Sequence, residues 1–132
     1  MPRDYRKAIA WLRRAAKHGD PAAVYSLGQC YLHGRGVRKN ERKGFRLDLE
    51  AAKRGVVEAQ YSVAICYDVG QGVRSNPVKA YQWYLTAAKR GYQDAANNLG
   101  LLYEAGRGVR ENKRKAEFWF RRADPDAKPK EG

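Results

Sequence analysis

Residues 27–37 read LGQCYLHGRGV, residues 63–73 read VAICYDVGQGV and residues 99–109 read LGLLYEAGRGV. The three stretches superpose at a constant shift of 36 residues without a gap. Tyr31, Tyr67 and Tyr103 share one column, and Gly34-x-Gly36-Val37 falls on Gly70-x-Gly72-Val73 and Gly106-x-Gly108-Val109. On either side, the same shift aligns Asp4, Asn40, Asn76 and Asn112. It also aligns Lys7, Lys43, Lys79 and Lys115, then Trp11, Leu47, Trp83 and Trp119. Ala15-Ala16, Ala51-Ala52 and Ala87-Ala88 match in turn, each ahead of a glycine (Gly19, Gly55, Gly91). Agreement of so many columns at one period is the signature of a repeat architecture.

Each unit reads as two helices. The first, "A", runs over about residues 21–33. Asp20 offers a side-chain acceptor to free N–H groups, and Pro21 suits the first helical position. Ala23, Val24, Leu27, Gly28 and Tyr31 recur at helical spacing, and Gly34 suits a left-handed stop. The second, "B", begins after Asn40. Its clearest copy opens at Asn76-Pro77, carries the stripe Ala80, Trp83, Ala87 and Ala88, and ends at Gly91. No alternating strand pattern occurs. The chain therefore reads B-A-B-A-B-A-B, seven short antiparallel helices. Each unit is too small to bury its own faces, so stacking must supply the core.

Composition limits the rest. The 132 residues suffice for one small domain, and 43% hydrophobic with 31% charged residues describes a folded chain. Mean hydropathy is −0.80, and no apolar run is long enough for a membrane span. The start, Met1-Pro2-Arg3-Asp4-Tyr5-Arg6-Lys7, leads into no signal-type apolar stretch. With two cysteines expected to stay unpaired, this points to the cytoplasm, unless the chain is cut from a longer precursor. Twenty-seven Lys and Arg against fourteen Asp and Glu give a net charge of +13.

The pattern Leu27-Gly28-x-x-Tyr31-x-x-Gly34-x-Gly36-Val37, with Lys79-Ala80-x-x-Trp83-x-x-x-Ala87-Ala88-x-x-Gly91, resembles the Sel-1-like repeats, relatives of the tetratricopeptide repeats. The resemblance covers roughly residues 4–123. It implies an all-α, right-handed α/α superhelical solenoid that serves protein–protein interaction and scaffolding. The units are a partial one at 1–20, then 21–56, 57–92 and 93–124, with a polar tail at 125–132. Departures are Ala64 for the usual glycine, and Gly44 and Leu47 for the usual alanine and tryptophan. These last make the second B helix the expected weak one. In the last copy, Asp124-Pro125 stands in place of the second alanine and its successor.

Charge divides along the same lines. Segments 20–33, 57–69 and 93–105 contain no Lys or Arg. In related solenoids the A helices line the concave face, which would make the groove neutral to mildly acidic and the outer wall basic. By helical angle the A-helix positions opposite the core stripe are Tyr25, Gln29 and, at the margin, Leu32, then Tyr61, Ile65 and Asp68, then Asn97, Leu101 and Glu104. This mix of aromatic, aliphatic, amide and acid suits a peptide or protein segment. The alternative partner is an acidic surface: nucleic acid, anionic lipid or acidic protein. It would bind B-helix cations such as Arg13, Arg14, Arg54 and Arg90, though no nucleic-acid motif accompanies them.

Catalytic and metal-binding patterns are not apparent, and neither a cofactor nor a metal is expected. His18 and His33 have no Cys or carboxylate placed to complete a site. Gly34-Arg35-Gly36 lacks the spacing of a phosphate loop. Ser26 and Ser62 have no His or Lys base at a defined offset. Cys30 and Cys66 share a column with Leu102. Equivalent residues of packed helices lie about 9–10 Å apart, beyond the ~7 Å a disulfide spans. This departs from the disulfide-stapled members of the resembled family. Two expectations remain. Trp83 is expected in the core between A and B helices. Phe118, in Phe118-Trp119-Phe120, is expected to point outward as a terminal contact for a partner or for end-to-end self-association.

Overall fold

The computed structural model describes residues 4–126. Seven α-helices and no strand occur among them: α1 (Asp4–Lys17), α2 (Pro21–His33), α3 (Glu41–Lys53), α4 (Val57–Val69), α5 (Pro77–Lys89), α6 (Gln93–Ala105) and α7 (Lys113–Ala123). Each packs principally on its neighbours in sequence. The A helices are α2, α4 and α6; the B helices are α1, α3, α5 and α7. Most of the tail expected at 125–132 lies outside the described residues.

The turn chemistry repeats with the sequence. Asn40, Asn76 and Asn112 cap their helices, each side chain accepting from the backbone N–H of Lys43, Lys79 or Lys115 at 3.0–3.1 Å. Their own N–H groups donate to the carbonyls of Tyr31, Tyr67 and Tyr103 at 2.8–2.9 Å, tying each turn to the helix it leaves. The column lysines then lie over those rings: the Lys43, Lys79 and Lys115 ammonium groups sit 4.6, 5.5 and 5.7 Å from the ring centres. The second glycine of each Gly-x-Gly has a separate reason. Gly72 and Gly108 have φ of 71° and 73°, and a Cβ there would run into the carbonyls of Glu41 and Pro77. Each turn can therefore seat on the first turn of the preceding B helix only as glycine.

Packing corrects one expectation. Trp83 is only partly buried, and the neighbouring Tyr84 fills the core at 1% exposure. The tryptophan column runs from Trp11, 63% exposed, through partly buried Leu47 and Trp83 to buried Trp119. The next column (Leu12, Asp48, Tyr84, Phe120) points at the A helices. One residue is about 100° of helical rotation, enough to exchange a rim position for a core position. Small A-helix residues receive this column: a Cβ on Gly28 would strike the Asp48 carboxylate, and one on Gly100 the Phe120 ring. Gly44 is likewise used. A Cβ there would meet the Gly28 carbonyl and Leu32, so paired glycines let α3 approach α2 closely.

Candidate protein-binding face

The A-helix positions differ in exposure and in engagement. Tyr25, Tyr61 and Ile65 are half-buried, whereas Asn97, Leu101 and Glu104 are exposed. Leu101 is 48% exposed. Tyr61 stacks on Tyr92 with ring centres 4.9 Å apart. Burial raises the hydroxyl pKa of both Tyr25 and Tyr61, that of Tyr25 to about 12.

Leu32 does not belong to this surface. It is 2% exposed and packs into the core. The close approach of α3 at Gly44 encloses a side chain that helical angle alone places at the margin.

Gln29 and Asp68 are engaged within the protein. Gln29 Nε2 donates to Asp48 Oδ2 at 2.8 Å and to Ser62 Oγ at 2.9 Å, and His33 lies 3.2 Å from its Oε1. Asp68 Oδ1 accepts from Arg107 Nε at 2.9 Å, and Tyr84 donates to its other oxygen at 3.2 Å. A second Arg107 donor reaches the Asp68 carbonyl at 2.8 Å. Arg107, from the turn after α6, therefore brings a guanidinium against the end of α4.

Asp48 is the residue that motif reading passed over. It is wholly buried, held by Gln29 and by the Ser62 hydroxyl, which donates to Oδ2. Among the described residues its Oδ1 has no partner. Burial pushes its carboxyl up to about 7 against the two stabilising hydrogen bonds. The signal was available: an acid stands in a column otherwise occupied by Leu12, Tyr84 and Phe120. Ser62 is thus a bridging donor between α3 and α4.

The B-helix wall is partly committed to the fold. Arg54 donates to the Gly19 carbonyl at 2.8 Å, and Arg90 donates to the equivalent Gly55 carbonyl. Each links the end of one B helix to the end of the previous one. On α7, Phe118 is 48% exposed with the Arg122 guanidinium 4.7 Å from its ring centre, while Trp119 is buried and Phe120 packs against Gly100. Cys30 and Cys66 are free thiols. Burial raises both, Cys66 to about 12, far from the thiolate a reactive cysteine needs. Among the described residues no three His, Cys, Asp or Glu side chains gather as a metal site.

The Sel1 repeat family model matches residues 1–20, 21–56, 57–92 and 93–123. The chain belongs to the Sel1 repeat family. Sel1 repeats generally act as non-catalytic scaffolds for protein–protein interaction. Solved Sel1-type structures agree with the α/α solenoid. The Sel1 repeat protein from Oxalobacter formigenes has a TM-score of 0.88 and 33% identity over 92% of this chain and 50% of its own. The protective antigen c5321 of uropathogenic Escherichia coli, described as displaying an SLR fold, has 0.87 and 29% over 90% of this chain and 26% of its own. Helicobacter pylori cysteine rich protein B has 0.70 and 26% over 91% and 86%. The Sel1 chain thus spans about half of the first of these proteins and a quarter of the second. No curated protein matches it.

Proposed function

We propose that this Sel1 repeat chain binds a peptide or protein segment along its A-helix face, with Tyr25, Tyr61, Ile65, Asn97, Leu101 and Glu104 as the contact surface. Gln29 and Asp68 act from beneath, as the polar floor that holds neighbouring helices in place. One observation carries the reading: Leu101 stands half-exposed in the same repeat column as partly exposed Ile65, on helices free of Lys and Arg. Apolar side chains kept at outward positions, rimmed by amide and acid, have the composition of an interaction surface. The basic wall is the weaker face, because Arg54 and Arg90 already serve carbonyls of the protein itself.

The test compares proteins captured from a lysate by the native chain and by Leu101→Glu, with the captured partner then titrated at two salt concentrations. The reading expects a partner lost with Leu101→Glu and an affinity that changes little with salt. An affinity falling by orders of magnitude with salt and indifferent to Leu101→Glu would transfer the function to the basic wall. A further contact is proposed at α7, where the exposed Phe118 ring offers an aromatic surface to a partner or to a second copy.

A further inference from the structure

The turn between α2 and α3 forms one side of an open cleft, and α1 contributes the other. Arg13 from α1, Arg38 and Lys39 from the turn, and Lys43 from α3 line it together with Tyr31. Among the described residues no carboxylate lines it, and neither ion pair involves these four cations. Like charges gathered without a counter-charge repel one another, and a bound anion relieves that repulsion.

Tyr31 makes the cleft more than a basic patch. The residue is over nine-tenths buried, and its hydroxyl accepts a hydrogen bond from Arg13 Nη2 at 3.1 Å. Among the described residues its own proton has no acceptor, so it remains available to a ligand. The Arg13 hydrogen bond also holds the hydroxyl pKa below its ordinary value, which makes it a stronger donor. Lys43 is held over the face of the same ring, 4.6 Å from its centre. Two cations are thus positioned by one buried aromatic.

The arrangement is peculiar to the first copy of the turn. Leu49 and Leu85 stand where the first copy has Arg13, and Ser75 and Glu111 stand where it has Lys39. In the third copy the Tyr103 hydroxyl is already hydrogen-bonded to that of Tyr81 at 2.6 Å. Repetition of the fold therefore does not account for Arg13 and Lys39.

A guanidinium fork, ammonium groups and a phenolic donor suit a tetrahedral oxyanion of high charge, and a phosphate monoester supplies up to two negative charges and three acceptor oxygens. Lipid is the poorer source. Among the described residues Val37 is the only aliphatic one in the lining and is itself half-buried, so they offer no apolar anchor to a bilayer. We propose that this cleft binds a phosphorylated serine or threonine side chain of a protein partner. The assignment rests on the reading of the chain as a protein-binding module, but it uses a different surface from the A-helix face.

The probe is a short glycine–serine peptide carrying one phosphoserine. Its unphosphorylated twin and phosphatidylcholine vesicles containing phosphatidic acid are compared with it, all titrated into the full chain and monitored by backbone amide resonances. The phosphopeptide is expected to bind and to shift the amides of Val37–Asn40. Arg13→Leu installs the residue that accompanies the two later turns, Leu49 and Leu85, and should weaken binding about tenfold or more, the worth of one charge-assisted hydrogen bond. Tyr31→Phe should weaken it severalfold. Arg14→Leu, on an exposed cation outside the lining, and Leu101→Glu, on the A-helix face, should each change it less than about twofold. Equal binding of the unphosphorylated twin, equal losses for Arg14→Leu and Arg13→Leu, or binding of the vesicles but not the peptide would each overturn the proposal. None of these outcomes bears on the Leu101 test of the A-helix face, so the two readings fail separately.

Discussion

Asp48 shows how much one residue can depart from its column. A carboxylate stands where the other copies carry leucine, tyrosine or phenylalanine, and desolvation raises its pKa to about 7 from an ordinary value of 3.8. The folded protein therefore holds this proton more tightly than the unfolded chain does. The associated stability is fully present below the unfolded pKa, is lost as pH rises through about 7, and levels off above that. Asp48→Asn keeps a carbonyl oxygen for the Gln29 and Ser62 donors and removes the charge. It is expected to raise the melting temperature at pH 8, by an amount equivalent to on the order of 2–4 kcal/mol, and to give little gain at pH 4. Thermal melts of both proteins across this range check it. A gain of equal size at both pH values would show that ionisation of Asp48 is not the cause. The repeat column marks this aspartate as the odd residue, but the shift itself comes from what surrounds it.

The B helices were readable as helices, but their orientation was not readable to the residue. Asn caps, Pro77 at the first turn and closing glycines are local signals, and each corresponds to a hydrogen bond or dihedral angle in the structure. The buried face is different. Alanines at Ala80, Ala87 and Ala88 locate it only to within about one residue's rotation, and both Trp83 and Tyr84 are large enough to fill it. The structure places Tyr84 inside and Trp83 at the rim. Tyr84→Ala should therefore cost about 3–5 kcal/mol through lost burial and a cavity. Trp83→Ala should cost clearly less, and Asn76→Ala only about 1 kcal/mol as a lost cap. Urea unfolding of the three variants provides the measurement. Equal costs for Tyr84→Ala and Trp83→Ala would contradict the placement of the two side chains. Leu32 errs in the opposite direction for the same kind of reason: its burial depends on how near α3 comes, and Gly44 sets that distance from another helix.

Taken as a whole, the solenoid presents surfaces that differ in chemistry. The A-helix face is apolar and weakly acidic, the α2–α3 turn is a concentrated basic cleft, and the outer face of α7 carries Phe118 beneath Arg122. The proposal that Phe118 makes a contact is separable from stability, because its ring is about half-exposed and the inward positions of α7 are taken by Trp119 and Phe120. Phe118→Glu should leave the melting temperature nearly unchanged and abolish either self-association or partner binding. Light scattering over a range of concentrations, together with partner titration, tests it. A monomer throughout, with partner binding untouched by the substitution, would remove Phe118 from the contact.

The repeat, the helix count, the caps and the turns were all legible in the order of the residues. These depend on interactions between residues near in the chain, and repetition writes each of them several times over. Leu101 and Phe118 could also be placed outward from sequence, since helical angle suffices where no other helix comes near. Four outcomes needed the assembled helices: Tyr84 rather than Trp83 fills the core, Leu32 is enclosed, Arg107 reaches Asp68, and Arg13 meets Tyr31 beside Lys43. Those outcomes depend on the distance and rotation between helices. Both are set jointly by side chains far apart in the chain, such as Gly28 against Gly44 and Gly100 against Phe120, whose sizes acquire meaning only once the two surfaces are in contact.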